Sequence, residues 1–390
     1  GDTMTTRGFT PQLSHNARHL SGAALRAEMC ALRAQLHAYV EALPDAALLP
    51  EQLATINPPL WESAHVACFA EWWCLRATYD AATDKWIASQ PSVRADADLI
   101  LNSNVLPHDA RWDLPKLDRA ATLEYMDATH AKVLAALDVA AQDNASLYPF
   151  RLALFHEAMH LEALAWCAQT LGWAKPGWVR SPREVTASGT VTVPASTLTL
   201  GHDHAGFSFD NERNAFTATI QSFEIDRSAI TNAQFLRFVE AGQYLERTGR
   251  AHPTFWRRDG AAWEVRSFDQ WIALPLATPM VHISAHEAEA YCDWVGRRLP
   301  SEHEWESAAR LRLIEWGDSV WEWTATSFAP YAGFTPDRYR EYSAPWFNGE
   351  FRVLRGGSFA TLDLMHDVAY RNFFQPHRND VFAGFRTCAV

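Results

Sequence analysis

At 390 residues, with 48% hydrophobic side chains and 17 tryptophans, the chain is longer than one hydrophobic core usually sustains, so two domains are expected. Its 46 acidic against 34 basic residues give a formal net charge of -12, which excludes the basic footprint of a nucleic-acid binder and points to small-molecule partners. No run approaches the roughly 18 uninterrupted apolar residues of a membrane span, so no membrane association and a cytoplasmic location are expected. The start GDTMTTRGFT carries no signal-peptide core, and its first three residues read as a cloning remnant ahead of Met4. The six cysteines (Cys30, Cys68, Cys74, Cys167, Cys292 and Cys388) are scattered without a CxxC pair, which predicts reduced, mostly buried thiols.

From about Ser21 to Leu171 the sequence is rich in Ala and Leu at helical spacing. Leu25, Met29, Leu32, Leu36 and Val40 make one apolar stripe. A second helix is expected from Trp61 to Tyr79 behind the Pro58-Pro59 start signal. Leu123, Met126, Val133 and Leu137 make a third stripe, and a fourth helix runs from Tyr148 to Leu171, ending before Gly172. Four such segments with long connections predict a four-helix bundle. Past Trp178 the texture changes to short β-rich runs such as Thr190 to Leu200 and Phe223 to Ile225, with few helices, among them Thr231 to Ala241 and Ala285 to Val295. That mixture predicts an α+β domain, with the boundary near Gly172 to Pro182.

The strongest local signal is FHEAMHLE at 155–162. At 100° per residue His156 and His160 fall about 40° apart on one helix face, one turn from each other, the spacing that a single metal ion needs. Glu162 lies roughly 120° from His156 and about 160° from His160 on an ideal helix, which assigns it to a supporting layer or a salt bridge. A third ligand must come from another helix. His65, one turn into the second helix and flanked by apolar residues, is the natural candidate. The same spacing also suits a surface pair or a structural zinc site, and it does not name the metal: three histidines hold zinc too, while the better-known iron pattern has two histidines and a carboxylate. His108, His130, His202, His204, His303 and His377 have no matching helical partner and are read as surface or loop residues.

RLPSEHEWESAAR at 298–310, VWEWT at 320–324, RVLRGGS at 352–358 and FAGFR at 382–386 together resemble the formylglycine-generating-enzyme (sulfatase-modifying factor) domain, a fold related to C-type lectins. Formylglycine generators work through a cysteine pair after the RGGS segment. Here SFATLDLMHD at 358–367 contains none, so that activity is excluded.

A helical bundle carrying HxxxHxE joined to this domain resembles the ergothioneine-biosynthesis sulfoxide synthases and the related selenoneine synthases, over nearly the whole chain from about Leu20 to Arg386. The resemblance implies a DinB-type four-helix bundle over 1–177 and a formylglycine-generating-enzyme-type substrate domain over 178–390. It implies iron(II) bound by His65, His156 and His160, and an O2-dependent attachment of sulfur or selenium to the imidazole C2 of hercynine, the trimethylated betaine of histidine. By position it puts Tyr339 and Tyr342 facing the iron site, where a phenol suits an oxygen-dependent step that needs a positioned proton donor. The alternative is that both are packing tyrosines in an aromatic-rich domain. Asn372 and Phe373 fall where the family grips the betaine, whose trimethylammonium has no donors to satisfy and suits aromatic faces.

Departures from the sulfoxide-synthase pattern bear on the substrate. Met159 stands where that family commonly has Gln between its two helical histidines, and a thioether cannot donate a hydrogen bond. Phe374 stands where enzymes using γ-glutamylcysteine carry an acid for its ammonium. Arg378 remains, and Arg111 matches a loop arginine near the sulfur donor or is an ordinary surface charge. With an acid lost and an aromatic gained, a neutral seleno sugar is the expected donor, with cysteine or γ-glutamylcysteine as the alternative. Competing readings are a zinc-dependent thiol transferase and a lectin-like binding module with a structural zinc clip.

Overall fold

The computed structural model describes residues 16–390; the reading of residues 1–3 falls outside them. Four long helices, α1 (Gly22–Ala42), α2 (Pro59–Glu71), α3 (Arg119–Val139) and α4 (Asn144–Leu171), pack on one another. Leu25, Met29, Leu32, Leu36 and Val40 of α1 are all buried, as are Met126, Val133 and Leu137 of α3, so the apolar stripes face inward as their period requires. Helix α2 is buried along its whole length. Helices α3 and α4 are capped by Asp118 and Asp143, whose side chains accept from Ala121 N and Ser146 N.

Two of these helices differ from the expected spans. The second stops at Glu71, passes through a π-turn at Trp72–Arg76, and becomes a strand, β1 (Ala77–Asp80), paired antiparallel with β2 (Lys85–Ala88). Arg76 anchors the change of direction by donating to Gln90 O at 2.9 Å and to Asp98 at 2.8 and 2.9 Å. Asp84 takes the left-handed φ of 52° that the hairpin turn demands. The fourth helix starts at Asn144 and includes Pro149. Proline has no N–H to give to the carbonyl four residues back, and that carbonyl, Ala145 O, instead accepts from Arg338 at 3.2 Å.

The rest of the chain mixes helices and sheets. Strands Thr190–Val193 (β3), Phe223–Asp226 (β4), Arg297–Arg298 (β5), Trp321–Ser327 (β6), Arg352–Arg355 (β7), Asn372–Phe374 (β8), Ala383–Gly384 (β9) and Cys388–Ala389 (β10) build two four-stranded sheets, ordered β5-β10-β4-β3 and β8-β7-β6-β9. The run expected from Thr190 to Leu200 is two strands, Thr190–Val193 and Ser196–Leu200, interrupted at Pro194. Helices α5 (Asn232–Glu240), α6 (Ala285–Val295) and α7 (Glu302–Arg310) start from capping boxes at Thr231, Ser284 and Ser301. In the second sheet Leu354 pairs with Asn372, Val353 with Phe373 and Arg352 with Phe374.

Below this sheet lies a charged core. Glu302, 1% exposed, accepts from Arg355 at 2.8 Å and from Arg371 at 2.9 Å on each oxygen. Burial opposes the charge of Glu302, yet Arg371 and Arg355 outweigh it and hold the carboxyl at about 2. The two halves of the chain meet along α4. Glu162 accepts from Trp321 Nε1 at 2.7 Å and from Thr361 Oγ1 at 2.5 Å. Arg18, 1% exposed, donates to both carboxylate oxygens of Glu212 at 2.7 and 2.9 Å. All six cysteines are free; Cys68, Cys167, Cys292 and Cys388 are buried, Cys30 and Cys74 half-buried. Among the described residues no helix is long and apolar enough to cross a membrane.

Candidate metal centre

Helix α2 delivers His65 and α4 delivers His156 and His160 to one point. The nearest ligand atoms of the three imidazoles all lie within 4.8 Å of one another. The rings sit 4.2 Å (His156–His160), 4.9 Å (His65–His160) and 5.2 Å (His65–His156) apart. Among the described residues this is the only group of three His, Cys, Asp or Glu side chains so converged.

Outer partners set which nitrogen faces inward. His65 Nδ1 lies 2.7 Å from Leu101 O, which can only accept. His160 Nδ1 lies 2.5 Å from Glu62 Oε1. Each contact places the ring proton on Nδ1 and leaves a lone pair on Nε2. His160 Nε2 and His156 Nε2 approach to 3.0 Å, a distance at which two lone pairs need a proton or a cation between them. His156 Nδ1 is buried and without a hydrogen-bond partner. Burial, then the neighbouring His160, lowers His65 to about 3. Burial and the other two imidazoles likewise push His156 well below its ordinary value. Neutral, inward-facing imidazoles with carbonyl and carboxylate support are the donor set that a divalent transition metal takes, and they fit iron(II) or zinc.

The carboxylate that orients His160 escapes a reading based on ligand spacing. Glu62 is 3% exposed on the apolar α2. Burial opposes its charge, but His160, His65 and the Asn57 amide, which donates to it at 2.6 Å, hold it below the ordinary carboxylate range. Its place one turn before His65 was the available signal. Asn57 accepts in turn from Arg111 at 2.8 Å. The Arg111 guanidinium lies 3.9 Å from the centre of the Trp61 ring, which itself stacks on His65 at 4.7 Å. Arg111 is therefore neither a free surface charge nor a wall of the open cavity; it supports the ligand helix. On the other side, Phe69 stacks on His156 at 3.6 Å.

A cavity of about 870 Å³ opens beside His65, Cys68 and Phe69. Trp72, Trp73 and the hairpin's Trp86 wall it, with Asn102, Ser103, Asn104 and the loop 338–341 at its mouth. Tyr339 lines it, edge-on to Phe69 at 5.1 Å, and burial pushes its phenol up. Tyr342 lies off the cavity lining. Its hydroxyl is 3.8 Å from Met159 Sδ and 3.4 Å from the hydroxyl of Tyr370.

Phe373 packs on Phe328 at 4.2 Å and faces Tyr342 at 6.2 Å, while Asn372 uses its side-chain oxygen to accept from Phe373 N at 2.8 Å. Phe374 meets Trp166 of α4 edge-on at 5.7 Å. Arg378 lies 5.4 Å from Trp166 and 5.2 Å from Phe374, and is bound at 2.6 and 2.8 Å by Asp380, which neutralises it. Met159, Arg111, Asn372, Phe373, Phe374 and Arg378 are thus near one another or near the ligand helices without lining the large cavity. Tyr370 and Trp166, which meet the site only through tertiary packing, gave no signal. Of the two places expected for Glu162, a supporting layer or a salt bridge, the salt bridge is replaced by hydrogen bonds from the neutral donors Trp321 and Thr361, and burial raises it to about 7. His130 and His303 lie half-buried inside α3 and α7, not on surface loops.

Residues 177–319 and 312–389 match the sulfatase-modifying factor enzyme 1-like domain. A hercynine oxygenase of Mycolicibacterium thermoresistibile is 30% identical, with 88% of this chain and 89% of that one aligned. A hercynine oxygenase of Mycolicibacterium smegmatis is 29% identical over 88% of this chain and 93% of its own. Ergothioneine biosynthesis protein 1 of Schizosaccharomyces pombe is 25% identical over 46% of this chain and 27% of its own.

Proposed function

The chain belongs to the hercynine oxygenase family, with its sulfatase-modifying factor enzyme 1-like domain, and from that premise we propose that it is an iron(II)-dependent oxygenase joining a chalcogen to C2 of the hercynine imidazole. The observation that carries the reading is the convergence of His65, His156 and His160 with their Nδ1 sides engaged or buried and their Nε2 sides facing one point. Iron held by these three nitrogens would supply O2 activation and a common point for both substrates. The balance is simple: the C2–H of hercynine, the S–H or Se–H of the donor and O2 give the C–S or C–Se bond, the sulfoxide or selenoxide oxygen, and water.

The chain's own residues do the rest. Glu62, through His160, and Leu101 O, through His65, fix the ligand rings. Phe69 and Trp61 close their outer faces to water. Tyr339 and Tyr342 offer phenol protons from the second half of the chain. Met159 and Phe373 offer the apolar side, and Asn372 a polar amide, against which the hercynine betaine packs, and Arg111 steadies the ligand helix through Asn57. We read the four packed helices as a DinB-type bundle over 1–177, and 178–390 as the substrate domain.

The names of the relatives support an ergothioneine route, and on that route we read the donor as a thiol, cysteine or γ-glutamylcysteine. A seleno sugar is the second reading. It is favoured by a specific observation: Phe374 lies on Trp166 beside an Arg378 already neutralised by Asp380, so that corner offers aromatic faces and no spare charge. The three tryptophans and the Asn102–Asn104 stretch of the cavity suit hydroxyl-rich rings in the same way.

The test is aerobic incubation of iron(II)-loaded protein with hercynine and each of the three donors, with mass analysis of the products. Hercynine consumed with one donor identifies it; hercynine untouched by all three refutes the reading. Activity surviving strict exclusion of oxygen would instead support a zinc-dependent thiol transferase.

A further inference from the structure

Tyr370 belongs to none of the recognised motifs, yet its hydroxyl stands at the centre of the contact between the two halves. It lies 3.5 Å from Met159 Sδ and 3.4 Å from the Tyr342 hydroxyl, which reaches the same sulfur at 3.8 Å. Two phenols and a thioether thus close a triangle on α4, between the positions of His156 and His160. Both hydroxyls can donate to the sulfur, a weak acceptor, and they contact each other at 3.4 Å, where either can be the donor.

Tyr342 ends a short 3-10 turn (Arg340–Tyr342), is half-buried, and is followed by Ser343, which donates to Asp210 at 2.5 Å, and a second 3-10 turn, Ala344–Trp346. Tyr370 is 4% exposed, and its ring is flanked by Trp321 at 5.5 Å and Phe209 at 5.4 Å. The next residue, Arg371, is tied to Glu302, Asn211 O and Ala329 O at 2.8 to 2.9 Å, and leads into β8. Both rings are held by packing on Phe209, at 4.8 Å for Tyr342 and 5.4 Å for Tyr370, so what is left to fix at Tyr342 is the rotation of its O–H about the C–O bond.

We propose that Tyr370 is a positioning residue whose hydroxyl sets the direction of the Tyr342 O–H at the Met159 face of the metal centre. The proposal rests on the reading of Tyr342 as a proton donor in an oxygenase reaction. A phenolic O–H turns about its C–O bond, and a second phenol as partner removes that freedom before the reaction begins. Without it Tyr342 has only the thioether, its O–H direction spreads, and proton delivery slows. Substrate binding, made by other groups, is retained.

The experiment compares wild type, Tyr370→Phe, Tyr342→Phe and the double variant as full-length, iron-loaded protein with hercynine and the donor that turns over. Tyr370→Phe, which leaves Tyr342 in place, should lower kcat by about tenfold or more, up to but not beyond the roughly 10²–10⁴-fold that a positioned proton donor contributes, with KM for hercynine within about twofold. In the Tyr342→Phe background it should cost nothing further. A wild-type kcat in Tyr370→Phe, or losses that multiply in the double variant, would overturn the proposal. A second readout needs no turnover: in metal-free protein labelled with 3-fluorotyrosine, the Tyr342 fluorine signal, assigned by its loss in Tyr342→Phe, should move in Tyr370→Phe. An unmoved signal overturns the contact itself. Wild-type protein inert toward every donor would refute the oxygenase reading, while the fluorine signal still decides whether the two phenols are coupled.

Discussion

His160 Nδ1 meets Glu62 Oε1 at 2.5 Å, joining α4 to α2 across 98 residues of sequence. The acceptor is a buried carboxylate that also takes the Asn57 amide, so the imidazole is pinned in rotation and its Nε2 is made more basic. Carboxylate partners of this kind typically contribute 10- to 100-fold to metal affinity. Glu62→Gln is therefore expected to weaken iron(II) binding by about that factor, measured by competition with a chelator, while far-UV circular dichroism is unchanged. An unaltered affinity would show that the carboxylate does not orient the ligand.

His156→Ala separates a reactive metal from a structural clip. Helix α4 is held along its length by apolar burial and by its Asp143 cap, so its fold does not depend on one imidazole. The variant should remain folded and bind well under one iron per chain, by metal analysis, with activity lost. Unfolding together with metal loss would instead mark a metal that serves stability.

Glu302 should govern acid stability. Its carboxyl is held at about 2 in the folded protein by Arg371 and Arg355, below its unfolded value of about 4.3. A depressed acid contributes stability that is fully present above the unfolded value and is lost as pH falls from about 4 toward 2. Urea unfolding at pH 6 and pH 3 should show a drop in wild type that is reduced in Glu302→Gln. That variant leaves two buried guanidiniums underpaired and should be less stable at pH 6 by about 3–5 kcal/mol. Equal pH dependence in both proteins would rule Glu302 out as the source.

Glu162→Ala tests the seam between the two halves. Removing the carboxylate leaves Trp321 Nε1 and Thr361 Oγ1 without the acceptor they share, at a cost of about 1–3 kcal/mol for each stranded group. The thermal midpoint should fall, and iron affinity should change less than in Glu62→Gln, because Glu162 touches no ligand ring. A midpoint equal to that of wild type would mean the seam is held elsewhere.

What the sequence revealed followed from periodicity. His156 and His160 are one helical turn apart, so their common face is fixed by geometry. The stripes of α1 and α3 are buried for the same reason. His65 sits on another helix, and spacing alone offers it only as a candidate. The end of α2 differs from the expected span because the aromatic and apolar residues through Leu75 continue the helical pattern, while the π-turn and hairpin depend on Arg76 reaching Gln90 and Asp98, contacts that no local pattern encodes. Phe374 and Arg378 are visible as residue types, but only the folded loop shows Asp380 cancelling the arginine's charge. Tyr370 came into view only with the tertiary structure, since a loop residue carries no period.

The loop that follows RGGS also has a meaning for how this scaffold can change. Ser358, Phe359, Ala360 and Thr361 are all buried, and Thr361 is sealed under the Glu162 carboxylate of α4. The corner where formylglycine generators keep their thiols is here a load-transferring joint that anchors the ligand-bearing helix. Cysteines placed in that loop would face a closed wall, so two substitutions alone would not give it the formylglycine generators' chemistry while the helix stays docked.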